Sequence, residues 1–334
     1  MLIHGDARHI PLKDRSVQCV CTSPPYWAQR DYEIDGQIGL EPTPDDYVAK
    51  IVSVFREVRR VLRDDGVCWI VLGDSYSHSG SAHRDPARWP KQAAARHMVG
   101  RIKERTGAKP KDLLMIPARA AIALRDDGWR LRSDIIWQKP TPFPEAVRDR
   151  PKRSFEHIFL LAKSKRYFYD ADAVDMKRDV WTIASDRRHD GDFFAAFPKK
   201  LAELCVLAGS RTGDLVFDPF LGSGTTGFVA EQLGRRWIGL DLNRDYVVQV
   251  QRSVVPTLAD LCEDLSSVEN LHSAASALMR RSASYRSCVA SERQDRNTDD
   301  DHKAPNRRKP KKLPGAALAD QHRRMRAKFF TKKT

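Results

Sequence analysis

The chain has little cysteine and no long apolar run, and each absence removes a class of protein. Its six cysteines (Cys19, Cys21, Cys68, Cys205, Cys262 and Cys288) are scattered over 334 residues. None forms a CxxC pair, and none joins histidines at zinc spacing, so no disulfide framework and no metal site are expected. They read as reduced structural thiols. No apolar stretch approaches the roughly 18 residues of a membrane span. The first residues, MLIHGDARHIPLKDRS, lack the apolar centre of a secretory signal. A cytoplasmic protein that does not enter a membrane is expected.

What is present is a hydrophobic content of 41% and a formal charge of +14. A chain of this length buries a full core, as one large domain or two smaller ones. The positive charge suggests a polyanionic partner such as nucleic acid. It is unevenly placed. From Asp301 to Thr334 there are 12 Lys and Arg against 2 Asp, leaving the remainder about +4. Charge alone therefore says little about the body of the chain.

Apolar spacing organises that body. Val17 to Thr22 reads as a buried strand that stops at Ser23-Pro24-Pro25, where proline removes backbone donors. Asp45 to Leu62 has helical spacing behind a Pro44-Asp45-Asp46 start signal. Further strands are expected at 67–72, 131–137, 158–162, 215–217 and 236–242, with Tyr167 to Tyr169 pairing beside 158–162. Helices are expected at 113–124, 197–208 and 225–233. Strands alternating with helices indicate a parallel α/β sheet. Residues 75–112 are polar and basic without a clear period and read as an insertion. After about residue 254 the apolar pattern thins. Residues 291–312 mix charge, Pro and Asn, so a partly disordered basic tail is expected over 254–334.

Two segments carry chemistry. Asp218-Pro219-Phe220-Leu221-Gly222-Ser223-Gly224-Thr225-Thr226-Gly227 lies between an expected strand and an expected helix. Its glycines at 222, 224 and 227 match G-x-G-x-x-G, which lets backbone turn tightly and approach a ligand. Asp241 ends the next strand, where a carboxylate can accept both hydroxyls of a ribose. No Lys-Ser/Thr follows Gly227, which excludes a P-loop. A dinucleotide site and an adenosylmethionine site both remain open on spacing alone. The second segment is Thr22-Ser23-Pro24-Pro25-Tyr26-Trp27. Its paired prolines stiffen a loop at a strand end and present carbonyls that no helix consumes.

Together these segments resemble the DNA amino-methyltransferases that modify adenine N6 or cytosine N4. Asp218 to Thr226 matches every fixed position of that family's cofactor loop, D-P-F-x-G-S-G-T-T. The resemblance implies S-adenosyl-L-methionine as cofactor, held by Asp218, Pro219, Phe220, Gly222, Ser223, Gly224 and Thr225. It makes Asp241 the ribose-binding acid and Asp6, in Gly5-Asp6, the contact to the adenine amino group. Phe197-Pro198 resembles the motif at the methionine end, although here it reads AAFPKK without the family's frequent upstream histidine.

The family's catalytic motif is [D/N/S]-P-P-[Y/F/W], so the resemblance assigns catalysis to Ser23, Pro24, Pro25 and Tyr26. An exocyclic amine is a poor nucleophile because its lone pair is delocalised into the ring. Acceptors that hold its two N–H groups out of plane free that lone pair. Ser23 Oγ and the Pro24 carbonyl suit this task, and Tyr26 can stack on the base. Transfer to cytosine C5 would need a Pro-Cys nucleophile, and the chain has no Pro-Cys pair. Ser23, with Arg30-Asp31-Tyr32 soon after, looks most like cytosine-N4 enzymes. Adenine N6 is the alternative, and an oxidoreductase or a non-catalytic DNA-binding protein are more distant ones.

The catalytic segment precedes the cofactor segment, which is the permuted order of the family's β class. The implied fold is α/β and Rossmann-like, a mostly parallel twisted sheet with helices on both faces. The resemblance implies a methyltransferase domain over residues 1–253, with 75–112 as the expected target-recognition insertion. Methylating a paired base requires flipping it out of the duplex, with cationic contacts to flanking phosphates. Lys139, Arg148, Arg150 and Arg153, in a loop like the family's KPxPxPES-x-DRP region, are the candidate DNA contacts. A restriction–modification setting follows from the resemblance, with a cognate restriction endonuclease as candidate partner.

Overall fold

Local chemistry marks the start of one helix clearly. In a computed structural model, which describes residues 1–77, 108–142, 145, 147–175, 177–186 and 197–254, the first helix, α1, spans Pro44–Val61. Thr43 caps it by accepting the Asp46 N–H at 3.1 Å. Pro44 occupies the first turn, where a missing N–H costs nothing, and Asp45 and Asp46 lie at the positive end of the helix dipole. Tyr47, Ile51, Val54, Phe55 and Val58 form its buried face. The further helices are α2 (Ile116–Asp126), α3 (Lys199–Gly209), α4 (Thr225–Gln232) and α5 (Arg244–Val254). No described helix is long and apolar enough to cross a membrane.

The described strands are β1 (Leu2–His4), β2 (Val17–Thr22), β3 (Leu62–Leu72), β4 (Arg130–Gln138), β5 (Phe155–Ala162), β6 (Val180–Thr182), β7 (Leu215–Asp218) and β8 (Arg236–Asp241). They form one sheet in the order β1-β8-β7-β2-β3-β5-β4-β6. Five neighbouring pairs are parallel, and β5 runs antiparallel to both β3 and β4. The sheet is mostly parallel, and its one reversal has a simple cause. Residues 139–154, between β4 and β5, contain no described helix, and a parallel return would need a crossover.

Tyr167 to Tyr169 do not form the expected strand, because β3 and β4 occupy both edges of β5. The Phe168 N–H donates instead to the Asp65 carbonyl at 2.8 Å. Three elements escape the apolar reading: β1, β6 and α5.

Helices cover both faces, so the central strands are buried on both sides. Val20, Cys68, Ile70 and Leu72 pack with α1 and α2. Cys19, Cys21, Val67, Trp69 and Val71 pack with Leu201, Leu204 and Cys205 of α3 and Val229 of α4. Burying each large apolar side chain contributes about 1.5–3 kcal/mol. The described cysteines, Cys19, Cys21, Cys68 and Cys205, are free and buried. Burial pushes the thiols of Cys19, Cys68 and Cys205 well up, which keeps them protonated.

All described elements fall within one unit, Met1–Asp260. Most of the expected insertion (78–107) and the tail from 255 onward lie outside the described residues. Strands β1, β8, β7 and β2 are parallel neighbours, so their carboxyl ends share one edge of the sheet. There Gly5, Leu242, Pro219 and Ser23 follow them, and ligands of open α/β sheets bind at that edge.

Candidate active site

The two motif segments begin on adjacent strands. Thr22 ends β2 and Asp218 ends β7, and the Thr22 hydroxyl donates to Asp218 Oδ1 at 2.6 Å. The Phe220 N–H donates to the same oxygen at 3.0 Å. A second bridge runs the other way, from the Thr226 hydroxyl on α4 to the Cys21 carbonyl on β2 at 3.0 Å. Burial raises the Asp218 carboxyl to about 6, and the negative charge of Asp241 adds to the rise against these hydrogen bonds.

The glycine loop turns through left-handed backbone at Gly222 (φ +48°) and Gly224 (φ +75°). Gly224 is the N-cap of α4. Gly227 serves packing: a Cβ there would stand 2.3 Å from the Trp237 ring. Asp241 closes the loop. Its Oδ2 accepts the Gly222 N–H and its Oδ1 the Asn243 N–H, both at 2.8 Å. Burial raises its carboxyl above the ordinary value.

A cavity of about 700 Å³ opens over these loops. Asp218, Pro219, Phe220, Gly222, Ser223, Thr225 and Asp241 line it from the glycine-loop side, and Ser23, Pro24, Pro25 and Tyr26 line it from the other. Asp6 and Phe197 line it as well. Pro198 and Gly224 stand behind the lining as the N-caps of α3 and α4. Burial would raise the Asp6 carboxyl, but its hydrogen bonds and ion pair with Arg8 outweigh this and hold it low.

Neighbouring groups hold the proline loop. The Tyr47 hydroxyl donates to the Pro25 carbonyl at 2.9 Å, and Trp27 Nε1 donates to the Glu41 carbonyl at 3.0 Å. Ser23 Oγ donates to the Val71 carbonyl at 3.2 Å and lies 3.4 Å from Tyr26 Oη. The Tyr26 ring rests on Gly73, where a Cβ would stand 2.6 Å from Cε2. Its hydroxyl donates to Glu156 Oε2 at 2.6 Å. Burial first, and the Glu156 carboxylate second, push that hydroxyl well above its ordinary range.

The four candidate DNA contacts separate. Lys139 is a wall of the cavity, its ammonium paired with Glu156 and 4.3 Å from the Trp137 ring centroid. Arg150 and Arg153 both pair with Glu145, at 2.8 Å and 3.1 Å, and stack on Tyr76. Arg153 also donates to the Asp74 carbonyl. These two hold their own loop together. Arg148 is exposed.

Glu156, Tyr32 and Asp186 also line the cavity and are not singled out as site residues by the sequence reading. Asp186 accepts the Lys199 N–H at 2.9 Å, in the first turn of α3. It stands 13 positions before that N–H, too far along the chain for a helix-start signal to mark it. Glu156 carries no signal either, because only the reversed direction of β5 brings it to the functional edge.

The chain is similar to known proteins over most of its length. Residues 17–252 match the family described as DNA methylase, the N6/N4 methyltransferases. The chain is 48% identical over 258 residues to the Type II methyltransferase M.SmaI of Serratia marcescens, covering 73% of this chain and 87% of that one. It is 45% identical over 257 residues to M.Cfr9I of Citrobacter freundii, covering 74% and 84%. Among solved structures, the cytosine-N4-specific PvuII DNA methyltransferase shares the fold, with a TM-score of 0.59 at 22% identity over 75% of this chain and 84% of that one. A Thermus thermophilus protein solved with S-adenosyl-L-methionine gives a TM-score of 0.54 at 26% identity, covering 75% and 91%. The chain belongs to the N6/N4 DNA methylase family and is an S-adenosylmethionine-dependent DNA methyltransferase that acts on an exocyclic amine.

Proposed function

We propose that the enzyme methylates cytosine N4 in DNA, on a base flipped out of the duplex. The observation that carries this reading is one cavity shared by the glycine loop and by a proline loop that begins with serine. Adenine-N6 enzymes usually carry Asp or Asn where Ser23 stands.

The donor set fits adenosylmethionine. Asp241 keeps acceptor capacity beside its two amide bonds and would take the ribose hydroxyls. Asp6 would accept from the adenine amino group, and Phe197 and Phe220 offer apolar surface. Gly224, at the cap of α4, and Pro198, at the cap of α3, would hold helix N-termini towards the cofactor. When bound, the cofactor supplies an electrophilic sulfonium methyl.

The chain supplies alignment. Ser23 Oγ and the Pro24 carbonyl would accept the two amine N–H groups and turn the nitrogen lone pair out of the base plane. Pro25 stiffens this loop, anchored by Tyr47, and Tyr26 offers its ring for stacking. Rate then comes from orientation and fixed dipoles. Lys139 would face the base, while Arg148 would meet phosphate. Arg150 and Arg153 would act by shaping that loop. In this reading residues 1–253 are the methyltransferase domain, 75–112 select the sequence, and the basic tail adds nonspecific affinity. Similarity to Type II enzymes supports a restriction–modification setting, with a cognate endonuclease as partner.

Long-read sequencing that detects modified bases, on DNA from cells expressing the protein, tests the proposal. N4-methylcytosine in one sequence context is expected. N6-methyladenine alone would overturn the target base, and unmodified DNA would overturn the activity. Pro24→Ala is expected to abolish transfer while the cofactor still binds.

A further inference from the structure

We propose that Glu156 is a positioning residue for the target base, acting through Tyr26 and Lys139. The inference rests on the base-methylation reading above. Glu156 stands near the start of β5, opposite Trp137 of β4. Because β5 is antiparallel, this end lies at the carboxyl edge of β3. A carboxylate from the outer part of the sheet thereby enters the cavity that also holds Ser23 and Pro24.

Both carboxylate oxygens are occupied. Oε2 accepts the Tyr26 hydroxyl at 2.6 Å, and Oε1 accepts the Lys139 ammonium. The side chain is only 19% exposed, so the bonds form in a poorly solvated place, where charge-assisted bonds are strong. The Tyr26 ring is thus held at two points. Gly73 supports its edge without room for a methyl group, and Glu156 fixes its tip. Lys139 is held likewise, by Glu156 and by the face of Trp137. Ser23, Tyr26, Glu156, Lys139 and Trp137 make one continuous wall drawn from β4, β5 and the loops after β2 and β4.

The chemistry of this wall suits a flipped base. A ring of fixed plane offers a stacking surface. The ammonium offers donors to the ring nitrogen and carbonyl of a pyrimidine. An unpaired carboxylate would repel those same acceptors, so the ion pair makes the wall a donor surface. Glu156 need not touch the base to do this.

The test uses the full chain with Glu156→Ala, Glu156→Gln, Tyr26→Phe and the double variant Glu156→Ala/Tyr26→Phe. Single-turnover methylation, cofactor affinity by calorimetry and the fluorescence of a pyrrolocytosine at the target position are measured. Glu156→Ala is expected to slow transfer on the order of 10²-fold and to change the fluorescence of the flipped base, with cofactor affinity unchanged. Glu156→Gln, which still accepts from Tyr26, recovers part of the rate. The double variant is no slower than Glu156→Ala, because one route is cut twice. A wild-type rate in Glu156→Ala, or losses that multiply in the double variant, would overturn the proposal. So would a Glu156→Ala protein that loses cofactor binding together with thermal stability, since that marks a fold defect. Wild-type protein that methylates no DNA would refute the underlying reading instead, and this inference with it.

Discussion

Replacing Asp218 with Asn should make the protein more stable at neutral pH, and the gain should vanish in acid. The Asp218 carboxyl is buried at the end of β7 and titrates at about 6, against 3.8 for an ordinary aspartate. The folded state therefore holds this proton to a higher pH than the unfolded state. Below about 3.8 both states are protonated and the residue costs nothing. Between 3.8 and 6 the unfolded chain ionises first, and stability is lost as pH rises. Above 6 the full cost is present. A gap of about 2 pH units, at about 1.36 kcal/mol per unit, gives roughly 3 kcal/mol. Asn keeps an oxygen to accept from the Thr22 hydroxyl and the Phe220 N–H, so the local geometry survives. Urea unfolding of both proteins from about pH 4 to 8 measures the difference directly, since other titrating groups cancel. A gap that opens as pH rises towards about 6 and stays level above it is expected. A gap independent of pH, or a variant less stable near neutral pH, would refute the assignment of a buried, charged Asp218.

Other substitutions separate the roles of neighbouring residues. Gly73→Ala puts a Cβ 2.6 Å from the Tyr26 ring, and should cost about 1–3 kcal/mol in thermal unfolding and slow methyl transfer with cofactor affinity kept; an unchanged rate would show the ring is not fixed there. Asp241→Ala should weaken adenosylmethionine binding by calorimetry, because the loop amide of Gly222 also loses its acceptor; equal affinity would contradict a ribose role. Arg148→Ala should lower DNA affinity and reduce the salt slope by about one, with an unchanged melting temperature. Arg153→Ala should lower the melting temperature by removing the bonds to Glu145 and Asp74, and the opposite assignment of these two outcomes would refute the division between phosphate contact and loop anchor.

The sequence is most legible where local chemistry and burial agree. β2 is a buried run ended by proline, and α1 has its cap, proline and acidic first turn in order. The glycine loop is readable because its spacing and Asp241 are close in the chain. Short elements are not. β1 and β6 have three residues each, too few to show a period. The direction of β5 is equally hidden, since alternation along a strand is the same either way. The place of Glu156 follows from that direction, and its partner Tyr26 is 130 residues away. The basic loop hides its own partners in a different way. Arg150 and Arg153 read as phosphate contacts in the chain, and only the fold brings Glu145 between them.

Motif order in the chain and motif position in the fold are separate quantities here. Thr22 and Asp218, at the heads of the two motifs, are 196 positions apart. In the sheet their strands are neighbours. Strands β1, β8 and β7 carry residues proposed to hold cofactor, and β2, β3, β5 and β4 carry those proposed to hold the base. The seam between the halves is the β2–β7 pair, with a short ladder of Cys19 to Val216 and Val20 to Phe217. Two side-chain bonds extend it, Thr22 to Asp218 and Thr226 to Cys21. Each joins the motif of one half to the strand of the other. Permuting the chain leaves such a seam intact, because it depends on which strands lie side by side and not on which is made first. The bonds that the buried Asp218 and Thr226 make across that seam fix the spacing of the two loops, and a methyl transfer that relies on alignment needs that spacing fixed.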